Sequence, residues 1–131
     1  MAQRLALTTF LAADYDEAIA WFVDALDWKV LEDEDLGGGK RWVRVAPSED
    51  AETGLLIAKA KGDQANAIGA AAGGRVAFFL HVDDFAVAYE RLKGAGVDFE
   101  EAPRDEPFGK VVVFRDLYGN RWDLIERSVS A

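Results

Sequence analysis

The chain repeats itself, and the repeat limits its fold more than any other feature does. Asp14-Tyr15 and Asp84-Phe85 stand 70 residues apart, and at the same offset Ala18 matches Ala88, Phe22 matches Leu92 and Gly39-Lys40 matches Gly109-Lys110. Arg41-Trp42-Val43 then lies over Val111-Val112-Val113. The last apolar run of each half needs an offset of 66, because the first half carries the longer loop, and Ile57 then falls on Asp123. Identity between the halves is low. The order and spacing of the elements carry the argument, as expected when one supersecondary unit occurs twice.

Each half reads as the same series of elements. Leu5 to Ala12 has strand character, and Asp14 with Glu17 three residues on forms a capping-box-like start. Ala18, Ile19, Phe22, Val23 and Leu26 then recur at helical spacing, and the helix is expected to end near Asp27. Trp28 to Leu31 reads as a short strand, Glu32 to Gly39 as a turn, Arg41 to Val45 as an alternating strand, Pro47 to Thr53 as a polar loop and Leu55 to Ala58 as a strand. The second half follows with a strand over Val76–Val82, a helix capped by Asp84 and stopped by Gly94 and Gly96, and strands at Val97–Phe99, Lys110–Phe114 and Trp122–Ile125. Tyr118-Gly119-Asn120 is the last turn. Residues 61–74, rich in Ala and Gly, read as a connector holding one helical turn and closed by Gly73-Gly74.

One helix for four strands covers only one face of a sheet, so the other face needs a second layer. The expected fold is therefore α+β: two tandem β-α-β-β-β units, at 3–60 and 75–126, forming a curved, barrel-like mixed sheet with a central cleft, all within one domain. Such a concavity is a place for a small ligand.

Composition narrows the chemistry. Half of the 131 residues are apolar, with eight Phe and four Trp, which is enough for a core. No cysteine is present, so disulfides, thiolate metal sites and a Cys nucleophile are excluded. The formal charge of −9 argues against a nucleic-acid partner, which would need a basic face, and suits a cationic ligand or simply a solvated acidic surface. Met1 to Arg4 runs directly into strand-length apolar sequence, without a signal-peptide core or a membrane-length run, so a cytoplasmic location and no membrane partner are expected.

Four segments resemble the vicinal oxygen chelate superfamily, which includes glyoxalase I, bleomycin resistance proteins and extradiol dioxygenases. They are Asp14 to Phe22, Val82 to Phe85, Leu92 to Val97, and Asp116-Leu117-Tyr118-Gly119-Asn120-Arg121-Trp122-Asp123. The resemblance implies paired β-α-β-β-β units, commonly as a homodimer, and in the enzymes one divalent metal held by four inward-facing side chains. Carried over, those ligand positions are Leu7, Ile57, Ala77 and Asp123. Only Asp123 has a donor atom, and one carboxylate holds a divalent ion weakly. No metal or other cofactor is expected. The resemblance then implies a small-molecule-binding protein like the bleomycin resistance proteins, with a metal-dependent lyase or dioxygenase as the alternative.

The candidate ligand-binding residues are Asp123, His81, Phe79, Arg41, Phe108 and Trp122. Asp123 interrupts an apolar strand, so it must face water, a cleft or a partner such as Arg41, Arg75 or Arg121. His81, the only histidine, shares a strand face with Ala77 and Phe79; it is either a cleft-edge acid/base or a structural residue near Asp83 and Asp84. Among the aromatics, Trp21, Trp28, Trp42, Trp122, Phe79 and Phe108 could stack on a planar organic ligand or serve as core. Gly37-Gly38-Gly39 lacks the strand-loop-helix context of a phosphate loop and reads as a turn.

Overall fold

The computed structural model describes residues 1–128. The chain forms two compact units, Met1–Ile68 and a second that begins at Gly69, so the division falls inside the stretch expected to connect them. The first unit contains β1 (Leu7–Ala12), α1 (Tyr15–Leu26), β2 (Lys29–Gly37), β3 (Lys40–Ala46), β4 (Gly54–Lys59) and a 3-10 helix (Gly62–Ala67). The second contains β5 (Val76–His81), α2 (Phe85–Gly94), β6 (Asp98–Phe99), β7 (Arg104–Glu106), β8 (Gly109–Arg115) and β9 (Arg121–Arg127). The α+β class and the tandem order are those the sequence implies, with the strands divided between two mixed sheets. Their orders are β1-β4-β3-β2 and β5-β9-β8-β6, and β7 adds to β8. In each sheet the first strand pairs in parallel with the last, and the remaining pairs are antiparallel. Among the described residues no helix is long and apolar enough to cross a membrane.

Both helices start where the caps predict. The Asp14 carboxylate accepts the Glu17 N–H at 2.8 Å, and that of Asp84 accepts the Val87 N–H at 3.2 Å, each satisfying a first-turn donor. Helix α1 ends at Asp27, which takes the left-handed conformation with φ 58°. Its buried stripe is Tyr15, Ala18, Phe22 and Ala25; Val23, expected in that stripe, is exposed. The Phe22 ring meets Phe10 of β1 edge-on at 5.0 Å and Trp28 at 5.1 Å, so α1 seals one face of the first sheet.

Strand register assigns the remaining side chains to faces, because successive residues alternate. Phe10 lies opposite Ile57, and Ile57 opposite Val43, so all three belong to the α1 face. The opposite face carries Thr9 and Leu11 of β1, Leu56 and Ala58 of β4, and Trp42 and Arg44 of β3. In the second sheet Phe85 of α2 donates its N–H to Glu126 at 2.8 Å, which places Glu126, Leu124 and Trp122 on the α2 face. The other face of that sheet carries Asp123, beside Phe79 of β5 and Val113 of β8.

Two strands differ from the sequence reading. Glu32 to Gly37, expected in a turn, continues β2, and the turn is confined to Gly38-Gly39. β2 is an edge strand paired only with β3, so its acidic side chains stay solvated and do not oppose pairing. β7 has no apolar alternation to reveal it, since Arg104-Asp105-Glu106 is wholly charged; it forms by pairing with β8.

Candidate functional site

The first unit holds a cavity of about 710 Å³ at the end of its sheet, a size suited to a small organic molecule. Trp42 of β3, Leu56 and Ala58 of β4 and Leu36 at the β2–β3 hairpin supply its apolar wall. Tyr15, Lys40, Arg41, Lys59, Lys61 and Gln64 supply polar groups. The Trp42 ring is fixed by a hydrogen bond: its Nε1–H donates to Glu32 at 3.2 Å, and Glu32 also takes Arg44 in an ion pair. Both partners hold the Glu32 carboxyl below its usual range, the bond from Trp42 first and Arg44 second. The Tyr15 hydroxyl accepts the Arg41 N–H at 3.2 Å, tying the start of α1 to β3. Gln64 is held by its side-chain oxygen, which accepts the Lys61 N–H at 3.0 Å.

On the free face of the second sheet, Asp123 is the unusual group. Its Oδ1 is buried and has no hydrogen-bond partner. Burial pushes the carboxyl above the usual carboxylate range; Arg104 pulls it back, Glu101 adds to the rise and Arg121 opposes it. Both arginines are engaged elsewhere. Arg104 bonds Glu101 at 3.0 Å and Glu106 at 2.6 Å, and Arg121 bonds Glu100 at 2.7 Å. A carboxyl that holds its proton more tightly in the folded chain lowers stability as pH rises from the ordinary Asp range through the raised value. Asp123→Asn is therefore expected to match the parent protein near pH 3.5 and to be more stable by about 1–2 kcal/mol at pH 7, the scale of an unsatisfied buried polar group. Urea titrations at both pH values measure this, and a variant less stable at pH 7 would assign Asp123 a stabilising partner instead.

The other sequence candidates separate. Phe79 lies beside Asp123 in register and is 62% exposed, and His81, two residues on, is exposed on the same face and borders a shallow recess with Asp83 and Glu126. Arg41 lines the first-unit cavity, but its guanidinium is held by Asp33 at 2.6 Å and Asp16 at 2.9 Å. Phe108 is exposed in the β7–β8 turn. Trp122 is core: it is 2% exposed, stacks on Phe114 at 5.7 Å and donates its Nε1–H to Asp116 at 2.9 Å.

The positions carried over for metal ligands do not suit a metal. Ile57, expected to face inward, is 1% exposed on the α1 face; Leu56 takes the place opposite Thr9 that Asp123 takes opposite Phe79. Leu7 and Ala77 have no donor atom, and among the described residues no three His, Cys, Asp or Glu side chains cluster as metal ligands. Sequence reasoning weighed Trp42 only as one of several aromatics and missed Lys40, Lys59, Lys61 and Gln64. Alternation within Arg41-Trp42-Val43-Arg44-Val45 already placed Trp42 away from Val43 and Val45, but nothing in the sequence joined it to the segment after β4.

Known proteins bear on both fold and family. The family model for the Glyoxalase/Bleomycin resistance protein/Dioxygenase superfamily matches residues 4–124. An uncharacterised protein of Shewanella frigidimarina is 41% identical over 128 residues, covering 96% of this chain and 95% of its own. The crystal structure of UcmS2 is similar with a TM-score of 0.82 at 32% identity, covering 96% of this chain and 99% of that one. That of TnmS3, an antibiotic binding protein from Streptomyces sp. CB03234, has a TM-score of 0.76 at 24% identity, with 97% and 98% covered. The chain belongs to the glyoxalase/bleomycin resistance protein/dioxygenase superfamily.

Proposed function

We propose that the protein binds a small planar organic molecule and holds it unchanged, without a metal and as a homodimer. The observation that carries this reading is the cavity of about 710 Å³ with the Trp42 indole fixed in its wall by Glu32. An aromatic wall with polar groups at the edge recognises a flat ring by stacking and orients it by hydrogen bonds. The lack of a donor set at the carried-over ligand positions supports binding over metal-assisted chemistry. TnmS3 is an antibiotic binding protein of the same fold, which is consistent with this reading and does not name the ligand.

A panel of planar aromatic compounds titrated against tryptophan fluorescence tests the proposal. At least one compound should quench the parent protein, lose most of that quenching in Trp42→Phe, and be recovered chemically unchanged after prolonged incubation. Conversion of the compound, or stoichiometric metal in protein purified without chelators, would overturn it in favour of a lyase or dioxygenase. Sedimentation at micromolar concentration should give a species of twice the 14.4 kDa chain mass, and only the monomer would refute the dimer.

A further inference from the structure

We propose that the first-unit cavity selects a planar anion: an aromatic ring carrying a carboxylate or another acidic oxygen group. The inference rests on the reading of this cavity as the binding site and adds the charge of its ligand. Acidic residues outnumber basic ones 24 to 15 over the whole chain, yet the lining contains no Asp or Glu. It contains Lys40 from the start of β3, Lys59 from the end of β4 and Lys61 from the segment that follows. None of the three has an ion-pair partner among the described residues.

Most acids near the cavity are already paired with a cation, and Glu34 and Asp35 of β2, which lie opposite Trp42 and Arg41 in register and have no such partner among the described residues, stand outside its lining. Glu32 takes Trp42 and Arg44, while Asp33 and Asp16 take Arg41. Asp63 lies on the 3-10 helix, outside the lining. Arg41 is thus held by two carboxylates, and the three lysines are the unpaired positive charge of the lining itself, which also presents an indole.

The two features are complementary. Trp42, Leu56 and Ala58 offer a flat apolar surface to a ring, and the ammonium groups can meet a charge carried on its edge. Lysine is a point charge on a flexible stem, so it accepts carboxylate, phenolate or sulfonate without fixed geometry. Because the lysines are solvent-exposed, their attraction is modest and weakens with salt. The repulsive field of the whole chain acts on any anion as well, so local arrangement must outweigh net charge.

Three probes with one ring and different charge test this: 2-naphthoate, 2-naphthylmethanol and 2-naphthylmethylammonium, titrated calorimetrically into the full chain in 50 mM NaCl. Naphthoate should bind tightest and the ammonium weakest. Lys59→Gln with Lys61→Gln should weaken naphthoate about tenfold and leave the alcohol unchanged, two exposed contacts being removed. A control pair in the second unit, Lys93→Gln with Lys110→Gln, removes the same net charge and should have little effect. Equal binding of the three probes, preference for the ammonium, or an equal loss in the control pair would overturn the charge inference while leaving the cavity a binding site. Binding of no probe would overturn the cavity reading, and the inference with it.

Discussion

Replacing Asp116 with alanine is expected to destabilise the second unit by about 3–5 kcal/mol, the range for stripping a buried carboxylate from the donors it serves. Asp116 is only 6% exposed. Its Oδ1 accepts the N–H groups of Tyr118 at 2.9 Å and Asn120 at 3.1 Å. Its Oδ2 accepts Asn120 Nδ2 at 3.0 Å and Trp122 Nε1 at 2.9 Å. Alanine would orphan these donors in a buried turn. The damage would spread, because the Asn120 side chain accepts the Ala71 N–H at 3.0 Å and so anchors the start of this unit. Asp116→Asn keeps the shape with one acceptor oxygen and should fall between the two. Urea unfolding followed by tryptophan fluorescence reads the loss, and a change below about 1 kcal/mol would show that water can replace the carboxylate.

This turn shows how much the sequence reveals. Asp116-Leu117-Tyr118-Gly119-Asn120 was legible as part of one of the four family-like segments, but its content is structural: a buried carboxylate folds the turn before β9. The two helix caps were legible for the same local reason, since each lies within four consecutive residues, Asp14 to Glu17 and Asp84 to Val87. Register was not. The repeat offset of 66 set Ile57 over Asp123, whereas the ladders pair Thr9 with Leu56 and Phe79 with Asp123, an offset of 67. One residue is enough to send a side chain to the opposite face of a sheet. Ile57 is therefore core, and no alternation within Leu55-Leu56-Ile57-Ala58 could have said so, because all four are apolar. Charge shows a related limit. The total of −9 suits a cationic ligand or a solvated acidic surface, but a total is blind to where strands converge, and Lys40 and Lys59 come to line one cavity only after β3 and β4 have paired. The acidic run in β2 looked like a turn because solvated edge strands carry no apolar code.

The repeat also makes a paired prediction, because equivalent glycines stand in unlike surroundings. Gly39 and Gly109 match across the halves, and both have positive φ, at 81° and 146°. A Cβ on Gly39 would meet nothing within 4 Å, so Gly39→Ala should cost only the backbone strain of a side chain in that region, about 1 kcal/mol. A Cβ on Gly109 would lie 2.2 Å from the Glu126 carbonyl oxygen and 2.9 Å from the Arg127 Cα. Those atoms belong to the backbone of β9, against which Gly109 is paired at Arg127, so no side chain can rotate away. Relief would require the first rungs of the β8–β9 ladder to open, and Ser128 would lose the N–H bond it gives Phe108 at 2.9 Å. Gly109→Ala is therefore expected to cost about 3–5 kcal/mol, several times the loss at Gly39. Thermal unfolding of the two single variants side by side provides the measurement. Equal losses would mean that the cost at Gly109 lies in its backbone angle alone, and that the close approach of β9 is not a constraint on the fold.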